Sequence, residues 1–182
     1  MKIALIILGL VVVIVAALFI YYGGLRKVDF NIAKQGGETL VYVEQTGDYS
    51  KSAGPIDKMY YSLLNEEGIE TFRGFGIYYD NPQKVEKSML RSEVGSILED
   101  PDPETLKKLE GKYNIKTLPG KDYLVTEFPY RGKLSVIMGI MKVYPAMNRF
   151  VREKGFDEDG WVMEIYDILG KKIVYRKEIV NR

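Results

Sequence analysis

The stretch from Ile3 to Tyr22, IALIILGLVVVIVAALFIYY, holds 20 consecutive residues without a charge. Folded as a helix at about 1.5 Å per residue, such a run spans a hydrocarbon layer of about 30 Å. It divides the chain before any other feature is weighed. Residues 1–24 read as an N-terminal transmembrane anchor, and residues 28–182 as one domain outside the bilayer. A cleavable signal peptide is the rival reading. Its apolar core runs only about 7–15 residues and closes on small side chains, whereas this run closes on Phe19, Ile20, Tyr21 and Tyr22. Tyrosines suit the membrane–water boundary. Lys2 precedes the run, while Arg26, Lys27 and Lys34 follow it. That excess leans toward a single-pass protein whose C-terminal domain is cytoplasmic. The chain has no cysteine, which fits a reducing compartment.

With Lys2 set aside from its 26 basic residues, the chain balances 25 positive against 25 negative side chains. A domain without net charge or charge blocks carries no electrostatic footprint for nucleic acid. With neither histidine nor cysteine, Ser-His-Asp and Cys-His catalysis and the usual zinc sites are excluded. Gly74-Phe75-Gly76 lacks the third glycine of a dinucleotide loop. Asp157-Glu158-Asp159-Gly160 lacks calcium-loop spacing and reads as a solvated turn. No metal and no cofactor are expected.

Hydrophobic periodicity then orders the domain. Thr39–Gln45 alternates and is rich in β-formers, which predicts a strand. Ile56, Met59, Tyr60, Leu63 and Leu64 form one helical face, with Pro55 in its first turn and Gly68 at its end. Residues 71–82 and 91–98 are strands. A polar stretch follows, with a short helix opened by Asp102-Pro103. Residues 122–132 are a strand, Val136 to Val151 a helix kinked at Pro145, and 161–168 and 171–179 two closing strands. The order is strand–helix–strand–strand, twice, over about 37–98 and 122–179. This predicts an α+β fold with mostly antiparallel sheet and an approximate twofold. In the overlay of the two repeats, Glu44 matches Glu127, Ile77 stands opposite Glu164, and Phe75 and Tyr79 match Val162 and Tyr166.

Within the segment 160–169, GWVMEIYDIL, Trp161, Met163 and Ile165 alternate to one side. Val162, Glu164, Tyr166 and Ile168 alternate to the other. Neither side looks wet, so the carboxylate at 164 points to a ligand cavity shared across the twofold. Its rival is a structural ion pair with a Lys or Arg of the last strand or of a helix.

The repeated unit, the loop Gly47-Asp48-Tyr49 and the late Glu164-Ile165-Tyr166 resemble the gyrase-inhibitor-like (GyrI-like) domain, also the effector-binding domain of some AraC- and MerR-type regulators. Ile77 to Pro82, then Arg91 and Val94 to Leu98, behind an anchor, are similar to a membrane-anchored branch of that family. The branch includes an animal testis-expressed autophagy receptor of the endoplasmic reticulum. That receptor recruits partners through a long tail bearing an aromatic-x-x-aliphatic motif. This sequence stops at Arg182, so its activity is not expected to carry over. The resemblance implies a concave aromatic pocket for apolar, often cationic, compounds, with Glu164 in it. Some members are described as hydrolases of cyclopropane-containing electrophiles.

Carboxylates and tyrosines remain for chemistry. A carboxylate among rings stabilises a cation by charge, and each ring face adds about 0.5–2 kcal/mol. Buried without a partner, it becomes a neutral acid suited to proton transfer. Three functions stay open: a small-molecule-binding domain with Glu164 as counter-charge and a wall of Phe75, Tyr78, Tyr79 and Tyr166; a hydrolase with Glu164 as acid/base; and a non-catalytic membrane adaptor for a protein partner. Glu44 and Glu127 are the candidate second carboxylates. Trp161 reads as core, and Met138, Met141 and Met147 as helix packing.

Overall fold

Strands apolar on both faces need cover on both sides, and the chain supplies it in two different ways. The computed structural model describes residues 2–180, in the order α1 (Lys2–Tyr21), β1 (Asn31–Gln35), β2 (Thr39–Thr46), α2 (Ala53–Ser62), β3 (Arg73–Tyr78), β4 (Arg91–Leu98), α3 (Pro103–Leu109), β5 (Asn114–Thr117), β6 (Lys121–Pro129), α4 (Lys133–Glu153), β7 (Val162–Asp167) and β8 (Lys172–Glu178). All eight strands join one antiparallel sheet, β1-β6-β8-β7-β3-β4-β2-β5.

The sheet carries α2 and α4 on one face. Met59 of α2 and Leu63 just after it pack on Val41 and Leu98 of the sheet. Val143, Met147 and Val151 of α4 pack on Leu124, Phe128, Ile173 and Tyr175 of the sheet. The other face buries Leu40, Phe75, Ile77, Ile97, Tyr123, Val125, Met163 and Ile165 with no helix over it. It is covered because the sheet curls until its ends meet. Gly37 N–H donates to Leu118 O at 2.7 Å and Leu118 N–H to Glu38 O at 2.9 Å.

Local signals set the elements. Gly132, at φ 95°, turns the chain into α4, and Gly68, at φ 72°, ends the turn that continues α2. Asp102 accepts from Thr105 N–H at 2.7 Å and caps α3. The helix α4 runs through Pro145, the expected kink site, as one element. The anchor-length helix α1 is exposed along its length. Its end is tied to the domain: Arg131 donates to Tyr21 O and lies 4.6 Å over the Tyr21 ring, and Lys142 donates to Gly24 O.

Two expectations need correction. The edge strands β1 and β5 were not foreseen; NIAKQ and NIKT are short and polar and give no apolar alternation. Each pairs with the other repeat, β1 with β6 and β5 with β2. The overlay is also displaced by one residue. Gly76, not Ile77, stands opposite Glu164. A twofold through the sheet keeps each side chain on its own face, and Ile77 lies on the far face. With Gly76 on Glu164 the ladders superpose: Glu44↔Glu93 falls on Glu127↔Val174, and Gly76↔Val94 on Glu164↔Tyr175. Tyr78 then matches Tyr166, and Glu164 sits on the pseudo-twofold itself.

Candidate functional site

Because α2 and α4 each have their own apolar patch, a cleft of about 1880 Å³ remains between them over β3 and β7. Its floor includes Gly74, Tyr78, Val162, Glu164 and Tyr166; its walls include Ile56 and Tyr60 of α2 and Val136, Ile140 and Tyr144 of α4. Two glycines make the floor. A Cβ on Gly76 would stand 2.6 Å from the Tyr78 hydroxyl, and one on Gly74 would stand 2.9 Å from Ile56. Tyr78 therefore lies back over Gly76, in the space that its symmetry mate fills with a carboxylate.

Glu164 is 2% exposed. Tyr144 donates to Oε1 at 2.7 Å and Tyr166 to Oε2 at 2.5 Å. Among the described residues no Lys or Arg pairs with it. Arg176 of the last strand turns to Glu38 at 2.6 Å, and Lys177 donates to Asp159 O and Gly160 O. The ion-pair reading of Glu164 is thus not realised. Burial pushes its carboxyl above the ordinary range, and the hydrogen bonds from Tyr166 and Tyr144 only partly offset this. Burial first, then the Glu164 charge, raises the hydroxyls of Tyr78, Tyr144, Tyr166 and Tyr175. The site is thus a buried carboxyl ringed by tyrosine hydroxyls, with burial disfavouring its charged form.

Of the sequence-derived candidates, the structure brings Glu164, Tyr78 and Tyr166 together. Phe75 is a correction: one residue from Gly76, it points to the far face and is fully buried there. Tyr79 borders the cleft, yet its ring packs on the far-face core and its hydroxyl meets Lys116 at 3.4 Å. Trp161 packs on the same core, against Tyr123. Glu44 and Glu127 lie outside the cleft, and Glu127 pairs with Lys172. Tyr144 and Tyr175 were missed. Tyr175 is directly opposite Glu164 on β8, so strand alternation through KKIVYRKEI could have found it; Tyr144 shared an apolar helical face with core residues.

The Gly47-Asp48-Tyr49 loop and the segment Asp80 to Arg91 form a staple along one side of the cleft. The Tyr49 hydroxyl donates to Arg91 O at 2.9 Å and accepts from Asp80 N–H at 3.0 Å. Asp80 accepts from Arg91 N–H at 2.7 Å and from its guanidinium at 2.8 Å. The Arg91 guanidinium holds the Asp80 carboxyl below its ordinary value. The Tyr49 ring lies 4.7 Å from that of Tyr78, so the staple positions a ring of the cleft floor.

Comparison with known proteins agrees with this architecture. The C-terminal domain of EcmrR has a similar fold, with a TM-score of 0.58, 11% identity, and cover of 85% of this chain and 99% of that one. A hydrolase encoded by lin2189 from Listeria innocua is similar at a TM-score of 0.50 and 13% identity, over 84% of this chain and 92% of that one. Human testis-expressed protein 264 is 36% identical over 89 residues, 45% of this chain; the match spans 28% of that protein's length. The model of the GyrI-like small molecule binding domain matches residues 29–178, and the chain belongs to that family.

Proposed function

We propose that the chain is a membrane-tethered receptor for apolar cations, with Glu164 as counter-charge and Tyr78, Tyr144 and Tyr166 as the aromatic wall. One observation carries the reading: a buried carboxylate held by two hydroxyls, with no cationic partner among the described residues, on the floor of a large cleft. A lipophilic cation supplies the missing charge and meets ring faces worth about 0.5–2 kcal/mol each. The long apolar helix α1 supports tethering, and Arg26, Lys27 and Lys34 behind it support a cytoplasmic domain. Lipophilic cations concentrate at bilayers, where such a tether holds the cleft.

The test is calorimetric titration of the full chain in nanodiscs, corrected against empty nanodiscs. An aryl quaternary ammonium ion is compared with its neutral carbon isostere. The cation is expected to bind at least tenfold more tightly, a difference of about 1.4 kcal/mol, and Glu164→Gln to erase that preference. Equal binding of both probes in the wild type sinks the counter-charge role. Product formation from strained electrophiles, lost in Glu164→Gln, moves the protein to the hydrolase reading. Binding of neither class leaves the adaptor reading.

A further inference from the structure

The helix α4 presents two opposed rows. Ser135, Gly139, Val143, Met147 and Val151 repeat every fourth residue and are buried on the sheet. Leu134, Ile137 and Met141, at i, i+3 and i+7, are 52%, 53% and 62% exposed, with Ile140 beside them. Ile137 and Ile140 also line the cleft, as do the exposed Tyr61 of α2 and Ile168 and Leu169 of the β7–β8 turn. The mouth is thus rimmed with apolar side chains on three elements, which a water-facing entrance does not favour.

Two observations select what covers this face. First, α4 is the element to which the end of α1 is tied, through Lys142 to Gly24 O, with Arg131 just before it bonded to Tyr21 O. The row therefore lies close to where α1 leaves the domain. Second, α4 carries Lys133, Lys142, Arg149 and Arg152 against Glu153 alone. An apolar row flanked by cations is the pattern of helices that rest in the headgroup layer, their apolar side sunk about 5–10 Å.

We propose that the Leu134–Ile137–Met141 row rests in the interfacial layer of the bilayer that α1 enters, so that the cleft opens toward lipid and its ligands arrive from the membrane. This rests on the reading of α1 as a membrane span. The entrance is then lateral, and the exposed rim is buried in the assembled state.

The chain has no cysteine, so single introduced cysteines label uniquely. In nanodiscs of phosphatidylcholine and phosphatidylserine, Ile137→Cys and Met141→Cys would carry an environment-sensitive fluorophore, with lipids spin-labelled near the headgroup as quenchers. Val12→Cys in α1, read with a mid-chain quencher, reports the anchor. Glu104→Cys on α3, at the β5 end of the sheet, reports a solvent position. Expected is quenching at 137 and 141 severalfold above that at 104, together with strong quenching at 12. Quenching at 12 with none at 137 and 141 above that at 104 overturns the proposal while the anchor stands. No quenching at 12 overturns the anchor, and the proposal with it. Disulfide dimers of Met141→Cys in nanodiscs holding two copies, without lipid quenching, assign the row to a second copy and likewise overturn it.

Discussion

At the scale of single residues, Glu164 and Gly76 divide one symmetric position into two roles. Glu164 contributes a buried carboxyl with no cationic partner among the described residues; Gly76 contributes the space that lets Tyr78 lie beside it. The sign of the pH dependence follows from the raised carboxyl. A group whose folded pKa lies above its unfolded value favours the fold fully below about 4.5, its ordinary value. That contribution is lost as pH rises through the folded value. At pH 8 the buried Glu164 is therefore a cost to the fold, and Glu164→Gln is expected to melt higher than wild type. The difference should shrink toward zero as pH falls to about 4.5, in thermal melts across that range. A mutant that melts lower at pH 8 would mean that the two tyrosine hydrogen bonds outweigh burial. The same titration governs ligand: cation affinity should fall in acid, with proton uptake by the empty site.

At the scale of elements, β3 and β7 show how much was legible and why the rest was not. Strand alternation correctly put Glu164 and Tyr166 on one face and Trp161 on the other, because the period of 2 is dictated by the pleat. The partner strand was misaligned because its Tyr79-Asp80 resembles Tyr166-Asp167, while the equivalence that preserves faces pairs Tyr78 with Tyr166. The glycines hid the correct register, since Gly74 and Gly76 carry no polarity to alternate. The strands β1 and β5 were invisible for a related reason: an edge strand can be polar, being stabilised by its ladder more than by burial. The sequence likewise could not reveal Tyr144, whose role depends on where α4 crosses the sheet. Gly76→Ala tests the element directly. Replacing a strand glycine removes unfolded-state freedom worth about 0.4–1 kcal/mol, while its Cβ forces the Tyr78 ring aside. Stability is expected to change by no more than about 1 kcal/mol. Affinity for the cation probe should drop about tenfold, or about 1.4 kcal/mol. A loss of stability with affinity intact would show that Tyr78 packs but does not bind.

At the scale of the whole molecule, the two repeats are interlocked. Each lends its leading strand to the other, and the turns that make the exchange, Gln35 to Glu38 and Leu118 to Gly120, bond where the sheet ends meet. The Arg176–Glu38 pair lies at this closure, both partners largely buried. Its satisfaction is incomplete: Glu38 Oε2 and Arg176 Nε and Nη1 are buried without partners. Burial raises the Glu38 carboxyl, but the Arg176 hydrogen bond and charge overcome this and hold it below its ordinary value. Its contribution is therefore present above about pH 4.5 and lost as pH falls through the lowered value, opposite in sign to that of Glu164. Removing one partner strands a buried charge, which costs about 3–5 kcal/mol. Removing both with apolar residues of similar size strands nothing and also deletes three orphaned polar atoms. In urea unfolding at pH 7.5, Arg176→Met is expected to lose about 3 kcal/mol. Glu38→Met with Arg176→Met should stay within about 1 kcal/mol of wild type. That outcome would assign the closure to the crossing turns and their backbone bonds, with the ion pair selecting which ends meet. A double variant as unstable as the single one would make the pair itself the clasp that holds the curled sheet, and with it the shape of the cleft floor.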